Sequence, residues 1–246
     1  MILQASNVSK TYGKTRKKGA FTLNIDSFEV PEGSFTAILG PNGSGKSTFL
    51  KLILNLRFVD QGSIKLFGES HTQKAARRKV SYLPENFSFP ENFTVRQMLH
   101  LFQELDPDDD NNDDEQIEQL AKAFNVDYLD KRMKDLSKGM LQTAALMHTF
   151  LGHRQFYILD EPFNGLDAVQ KKSIMDYIFD RQRRENISIL ITTHILSDIE
   201  KTCDNLHLIR DGAIIDSATK EEINNQFGSV EQYYLSYFES KNSVQS

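Results

Sequence analysis

Gly40-Pro-Asn-Gly-Ser-Gly45-Lys46-Ser47-Thr48 is the stretch on which the reading of this chain turns. It fits the pattern G-x-x-x-x-G-K-[ST], and its surroundings fit as well. An apolar run, Phe35 to Leu39, comes before it. A helical pattern carrying Phe49, Leu50, Leu52, Ile53 and Leu56 follows. In such a loop the glycines let backbone N–H groups wrap phosphate oxygens, and the helix N-terminus adds the positive end of its dipole. The nine residues Gly40, Pro41, Asn42, Gly43, Ser44, Gly45, Lys46, Ser47 and Thr48 are therefore expected to bind a nucleotide. Lys46 brings a point charge to the β- and γ-phosphates, and Ser47 offers a hydroxyl oxygen to Mg²⁺.

Outward from this loop, short apolar runs alternate with helical patterns. Phe35 to Leu39, Val80 to Leu83, Phe156 to Leu159 and Ile187 to Thr192 read as buried strands of a mainly parallel sheet. The first 35 residues alternate polar and apolar, as a small antiparallel sheet does. Leu206 to Ile209 and Ala213 to Ile215, joined through Asp211-Gly212, read as a hairpin. Between 86 and 148 the pattern is helical. Thr94 with Gln97 predicts a capping box ahead of Met98, Leu99 and Phe102, and Ile117, Leu120, Ala121 and Phe124 share one helix face. The fold class expected is α/β, with an antiparallel β part at the N-terminus and an inserted helical part.

The division expected within one nucleotide-binding domain is 1–85 with 149–217 for the nucleotide core, 86–148 for the helical part, and 218–246 for a terminal helix bearing Tyr233, Tyr234, Leu235 and Phe238. No internal repeat of 20–50 residues is visible, so one such domain is expected rather than a tandem pair.

A second chemical signal is Phe156-Tyr-Ile-Leu159 followed by Asp160-Glu161. Ligands bind beyond the carboxyl ends of strands in open parallel sheets, and two carboxylates stand at such an end. Asp160 is placed to hold Mg²⁺. Glu161 is placed to polarise a water attacking the γ-phosphate. Adjacent carboxylates with no cation beside them repel, so the pair makes sense mainly with metal bound.

Composition bounds the rest. The 246 residues are 39% hydrophobic and carry a net charge of -5, which argues against a general nucleic-acid or anionic-lipid binder. The single cysteine, Cys203, excludes an internal disulfide framework and suits a reducing compartment. Neither a signal peptide nor a membrane-spanning run is visible, so a soluble intracellular protein is expected. Asp106 to Glu115 holds six Asp, one Glu and two Asn, without the ligand-and-glycine spacing of a calcium loop, and reads as solvated. Arg16-Lys17-Lys18 reads as a hydrated turn.

With these residues in view, the chain resembles the ATP-binding cassette (ABC) family. Leu136-Ser-Lys-Gly-Met140 resembles its signature, Asn164-Gly-Leu-Asp167 its D-loop, and Thr192-Thr-His194 its switch-histidine loop. Lys10-Thr-Tyr12-Gly13 is similar to the loop that stacks an aromatic ring on adenine. The likeness runs in family order from about residue 2 to about 216.

It implies a phosphate-loop NTPase core and an ATPase subunit with ATP and Mg²⁺ as cofactors. It also implies head-to-tail pairing with a second ATP-binding subunit, expected to be a second copy. Each ATP would then lie between one copy's phosphate loop and the other's Ser137 and Gly139. Tyr12 would meet the base, Asp167 would belong to the interface, and His194 would help Glu161 to fix the attacking water. A separate transmembrane permease subunit is the implied partner, with the cassette docked on the cytoplasmic face of the membrane. The groove beside Phe87, Phe89 and Phe93 would receive the permease's coupling helix.

Three departures stand out. Glu85, in Tyr82-Leu-Pro-Glu85, takes the place of the usual glutamine and is expected to offer an oxygen to the metal. Lys138 and Met140 replace a glycine and a glutamine, and Thr143 stands where a basic residue is frequent. Pro-Glu together with Ser-Lys-Gly-Met is similar to the branch serving ABC-2-type exporters and permeases. The alternatives are a soluble ABC protein with another job and a nucleotide-gated regulator. Repair-type members carry long coiled-coil insertions, absent here. A regulator without turnover has no need of Lys46, Asp160, Glu161 and His194 together.

Overall fold

The computed structural model describes residues 1–13, 21–106 and 114–238. Arg16-Lys17-Lys18, and residues 107–113 of the acidic tract, lie outside the described residues. The chain divides into two compact units, Met1–Arg78 with Ser188–Ser246, and Lys79–Ile187.

The first unit opens with β1 (Leu3–Tyr12) and β2 (Phe21–Val30), antiparallel with Leu3 opposite Val30 and Tyr12 opposite Phe21. Along β1 the buried positions run Leu3, Ala5, Val8, so the two-residue alternation slips by one. The cause is Asn7, left-handed at φ 51, where the pairing of β1 with β4 (Gln61–Leu66) shifts register. A Cβ on Gly62 would meet Asn7 O at 2.2 Å, so only glycine fits opposite this bulge. β3 (Phe35–Leu39) is buried at all five positions and leads into α1 (Lys46–Ile53). After β4 come β5 (Glu69–Ser70) and α2 (Lys74–Arg78).

The second unit holds β6 (Val80–Leu83), α3 (Val95–Leu105), α4 (Asp114–Ala123), α5 (Lys138–Phe150), β7 (Phe156–Asp160) and α6 (Ala168–Glu185). The capping box forms as its sequence predicts. Thr94 Oγ1 accepts from Gln97 N, and the Gln97 side chain accepts from Thr94 N. Ile117, Leu120, Ala121 and Phe124 are all buried. The acidic tract's described ends are tied down: Asp106 pairs with Arg154, and Asp114 with Arg96 and His100. Arg181 of α6 is a buried cation that donates to Phe150 O at 2.6 Å, Gly152 O at 2.7 Å and Glu185 at 3.0 Å. The Phe150 and Gly152 carbonyls lie at and just past the C-terminal end of α5, where the helix dipole favours a cation. Breaking a buried charge from its partners costs about 3–5 kcal/mol, which makes Arg181 a main fastening of this unit.

The chain returns to the first unit with β8 (Ser188–Thr193), β9 (Asn205–Arg210), β10 (Ala213–Thr219), α7 (Lys220–Gln226) and α8 (Val230–Phe238). The strand order in this unit is β5-β4-β1-β2-β10-β9-β3-β8. Around β3 the pairing is parallel, to β8 and β9, and these are the continuous apolar runs of a sheet covered on both faces. The β1, β2, β4 and β5 side is antiparallel, so the sheet is mixed. The β9–β10 hairpin turns through Asp211 and Gly212, both left-handed (φ 51 and 82), as its Asp-Gly pair predicts. Burial pushes the Cys203 thiol up to about 12, so it stays protonated. Among the described residues no helix is long and apolar enough to cross a membrane.

Candidate functional site

In the first unit, residues 40–45 join the end of β3 to α1. Gly43 and Gly45 are left-handed (φ 80 and 112), and Gly45 is the N-cap of α1. No side chain caps this helix, and the positive end of its dipole favours an anion there. Gly40 is needed for a different reason: a Cβ there would lie 2.3 Å from Ile209 O. Lys46 is buried, and its ammonium bends back over the loop, donating to Gly40 O at 2.7 Å and Pro41 O at 3.3 Å. Ser44 Oγ is buried with no hydrogen-bond partner among the described residues. A bound phosphate oxygen would satisfy it, and the loop's geometry fits a polyphosphate. Pro41, Asn42 and Gly43 form the exposed crest, and Ser47 and Thr48 are half-buried in the first turn.

Two more predicted residues belong to this unit. Leu39 pairs with Thr193, so Gly40 and His194 leave neighbouring parallel strands at the same edge. His194 is exposed, and the turn after it is fixed by Ile195 N donating to Thr193 Oγ1 at 3.0 Å. Tyr12 ends β1, half-buried, with Lys10 Nζ 5.9 Å from its ring centroid.

In the second unit the same logic recurs. Leu83 pairs with Leu159, so Pro84-Glu85 and Asp160-Glu161 leave neighbouring strands together. Asp160 and Glu161 are both buried, whereas Glu85 is exposed. The Tyr82 hydroxyl feels this charge. Its pKa is raised, first by burial and then by the carboxylates of Asp160 and Glu85. Glu161 has a left-handed backbone (φ 50), a conformation that costs a non-glycine residue about 1–2 kcal/mol. Its carbonyl accepts from Asn164 N at 3.3 Å, closing a turn directly after the strand. Strain of this kind concentrates where a side chain must be aimed.

Ser137 is the N-cap of α5, its Oγ accepting from Met140 N at 3.3 Å. Asp167 caps α6 in the same way, through Gln170 N at 2.8 Å. Gly139 has a packing role the sequence did not disclose: a Cβ there would approach Gly165 O to 2.7 Å. The Lys138 stem lies along Gly165, and Thr143 is buried with its hydroxyl on Gly139 O at 3.0 Å. Gln142, which sequence reasoning missed, is buried and donates to Pro162 O at 2.8 Å. It locks α5 to the turn after Glu161. A glutamine among buried apolar positions of a helix was the available signal.

The hard oxygens of Ser47 in the first unit, and of Asp160 and Glu85 in the second, have the chemistry magnesium takes. Among the described residues no three His, Cys, Asp or Glu side chains gather into a metal cage. Magnesium needs none, since it binds through one or two carboxylates with phosphate oxygens and water. The expected result for Glu85→Gln is turnover within about tenfold of wild type, because an amide keeps one carbonyl oxygen. Glu85→Ala should raise the magnesium requirement. Titrating activity against magnesium checks this, and two wild-type curves would make Glu85 a bystander.

Comparison with known proteins matches residues 23–164 to the family model described as ABC transporter. The zinc uptake system ATP-binding protein ZurA of Listeria monocytogenes is 32% identical, over 89% of this chain and 87% of that one. The uncharacterized ABC transporter ATP-binding protein YthP of Bacillus subtilis is 31% identical, over 96% of this chain and 95% of its own. Among solved structures, an ATP-binding subunit of an ABC transporter superposes with a TM-score of 0.80 at 28% identity, covering 96% of this chain and 99% of that one.

Proposed function

We propose, from the premise that this chain belongs to the ABC transporter family and is its ATP-binding, ATP-hydrolysing subunit, that each predicted site residue has one role in a cycle of ATP-driven pairing. The observation that supports this reading best is the phosphate loop: a buried Lys46 over an uncapped helix start, with glycine at every constrained position. Lys46 holds the β- and γ-phosphates, the backbone N–H groups of the loop and the first turn of α1 cradle them, and Tyr12 stacks on the base. Ser47 would offer Mg²⁺ a hydroxyl oxygen, and Asp160 and Glu85 carboxylate oxygens; the ion would neutralise charge developing on the phosphates. Glu161 takes the proton of the attacking water, and His194 contacts the γ-phosphate.

Ser137, Gly139 and Asp167 face the nucleotide of a second copy. The dipole argument applies to α5 too, although Ser137 caps it: its N-terminus favours an anion, and the Ser137 hydroxyl lies at that end. The separate membrane subunit docks in the helical part. There Phe87, Phe89, Met133, Leu136 and Leu141 line a groove of about 540 Å³, with Phe87 and Phe89 in contact at 5.2 Å between ring centres. Aromatic anchors in a groove that also carries Ser88, Glu91 and Lys134 suit an incoming amphipathic helix. The chain then works on the cytoplasmic face, and Pro84-Glu85 with Ser137-Lys-Gly-Met140 supports outward transport.

Pairing is tested by sedimentation of Glu161→Gln with ATP or ADP. ATP should give a dimer and ADP a monomer, and adding Ser137→Arg should abolish the dimer. A dimer indifferent to nucleotide would remove ATP from the interface.

A further inference from the structure

The β9–β10 hairpin supports the phosphate loop at two points. Ile209 O occupies the space a side chain on Gly40 would need, and Gly212 N donates to Ser44 O at 2.9 Å. Gly212 is itself held, its carbonyl accepting from Asn24 N at 2.7 Å, while a Cβ on it would meet Thr22 O at 2.2 Å. The hairpin is therefore wedged between β2 and the loop and cannot move without moving Ser44. Between these two supports sits Arg210, and its side chain turns the other way. Its guanidinium donates to Tyr237 O at 2.8 Å and lies 5.6 Å from the Phe238 ring centre. Both residues belong to the last turn of α8, where a cation meets the negative end of the helix dipole. The rest of α8 is fastened to the same hairpin, with Tyr233 buried and its hydroxyl donating to Asp216 of β10 at 2.8 Å.

We propose that Arg210 is a positioning residue for the phosphate loop, and that through it the C-terminal helix α8 sets the affinity for the nucleotide's phosphates. The path is short and lies within one unit: Tyr237 and Phe238 to Arg210, Arg210 to the hairpin turn, Gly212 to Ser44. Arg210 touches no ligand. It holds the turn that bonds the Ser44 carbonyl, and so the height at which the same peptide presents the Gly45 N–H. A partner or modification that lifts the end of α8 would weaken ATP binding without reaching the site. This rests on the loop's binding ATP, as proposed above.

The test is ATP binding by calorimetry and steady-state hydrolysis in the full chain, comparing wild type with Arg210→Ala, Arg210→Lys and Phe238→Ala. Residues that act on a site without touching its ligand change affinity by about two- to thirtyfold. Arg210→Ala is expected to raise Kd and KM for ATP by that factor, with kcat at saturating ATP within twofold of wild type. Arg210→Lys, which keeps a donor for Tyr237 O, should restore most of the affinity. Phe238→Ala should show a smaller shift in the same direction, and gives a second reading if Arg210→Ala does not fold. General loosening of the fold gives the reverse pattern, a lower kcat with unchanged KM, and overturns the proposal. So does an unchanged Kd in both alanine variants while wild type binds ATP. A wild-type chain that binds no ATP overturns the ATPase reading, and this proposal with it.

Discussion

Glu161→Gln is expected to lower ATP turnover by about 10²–10⁴-fold, the contribution of a positioned general base, while ATP still binds. Glutamine keeps the volume and hydrogen-bonding reach of the buried side chain and accepts the same left-handed backbone, so the turn through Asn164 stays closed. Only the proton acceptor and its charge are lost. Single-turnover hydrolysis with nucleotide affinity measured alongside separates the two effects. Turnover near wild type would move the base to another residue, with His194 the first candidate.

Lys46→Ala is expected to weaken ATP binding and hydrolysis together. A charge-assisted hydrogen bond contributes roughly 1.5–3 kcal/mol, or about 10–150-fold in affinity. The structure adds a reason for a loss at the upper end. The same ammonium bonds the carbonyls of Gly40 and Pro41, so alanine removes the ligand's contact and the tie that shapes the loop. Calorimetry gives the affinity directly. An unchanged Kd would mean that the backbone N–H groups carry binding alone.

Much of this could be read locally. Phe35 to Leu39 and Phe156 to Leu159 are continuous apolar runs, and a strand covered on both faces needs such a run. The Asp211-Gly212 turn and the Thr94–Gln97 capping box are set by residues within a few positions of one another. The caps Ser137 and Asp167 are local too, each accepting from the N–H three residues on.

What stayed hidden depends on partners far along the chain. The slip at Asn7 needs Gly62 opposite it, and neither residue signals the other. Gln142 finds Pro162 O, and Gly139 meets Gly165, only once α5 lies against the turn after β7. The left-handed backbone of Glu161 opposes its intrinsic preference, so no propensity points to it. The basic run at 16–18 and the middle of the acidic tract fall outside the described residues.

The most direct measurement of the central claim is phosphate release from Mg-ATP by the purified chain, followed over many turnovers. The predicted result is steady hydrolysis that requires magnesium and falls by about 10²–10⁴-fold in Glu161→Gln. Tight ATP binding with no release of phosphate would contradict it, and would make the chain a nucleotide-gated regulator.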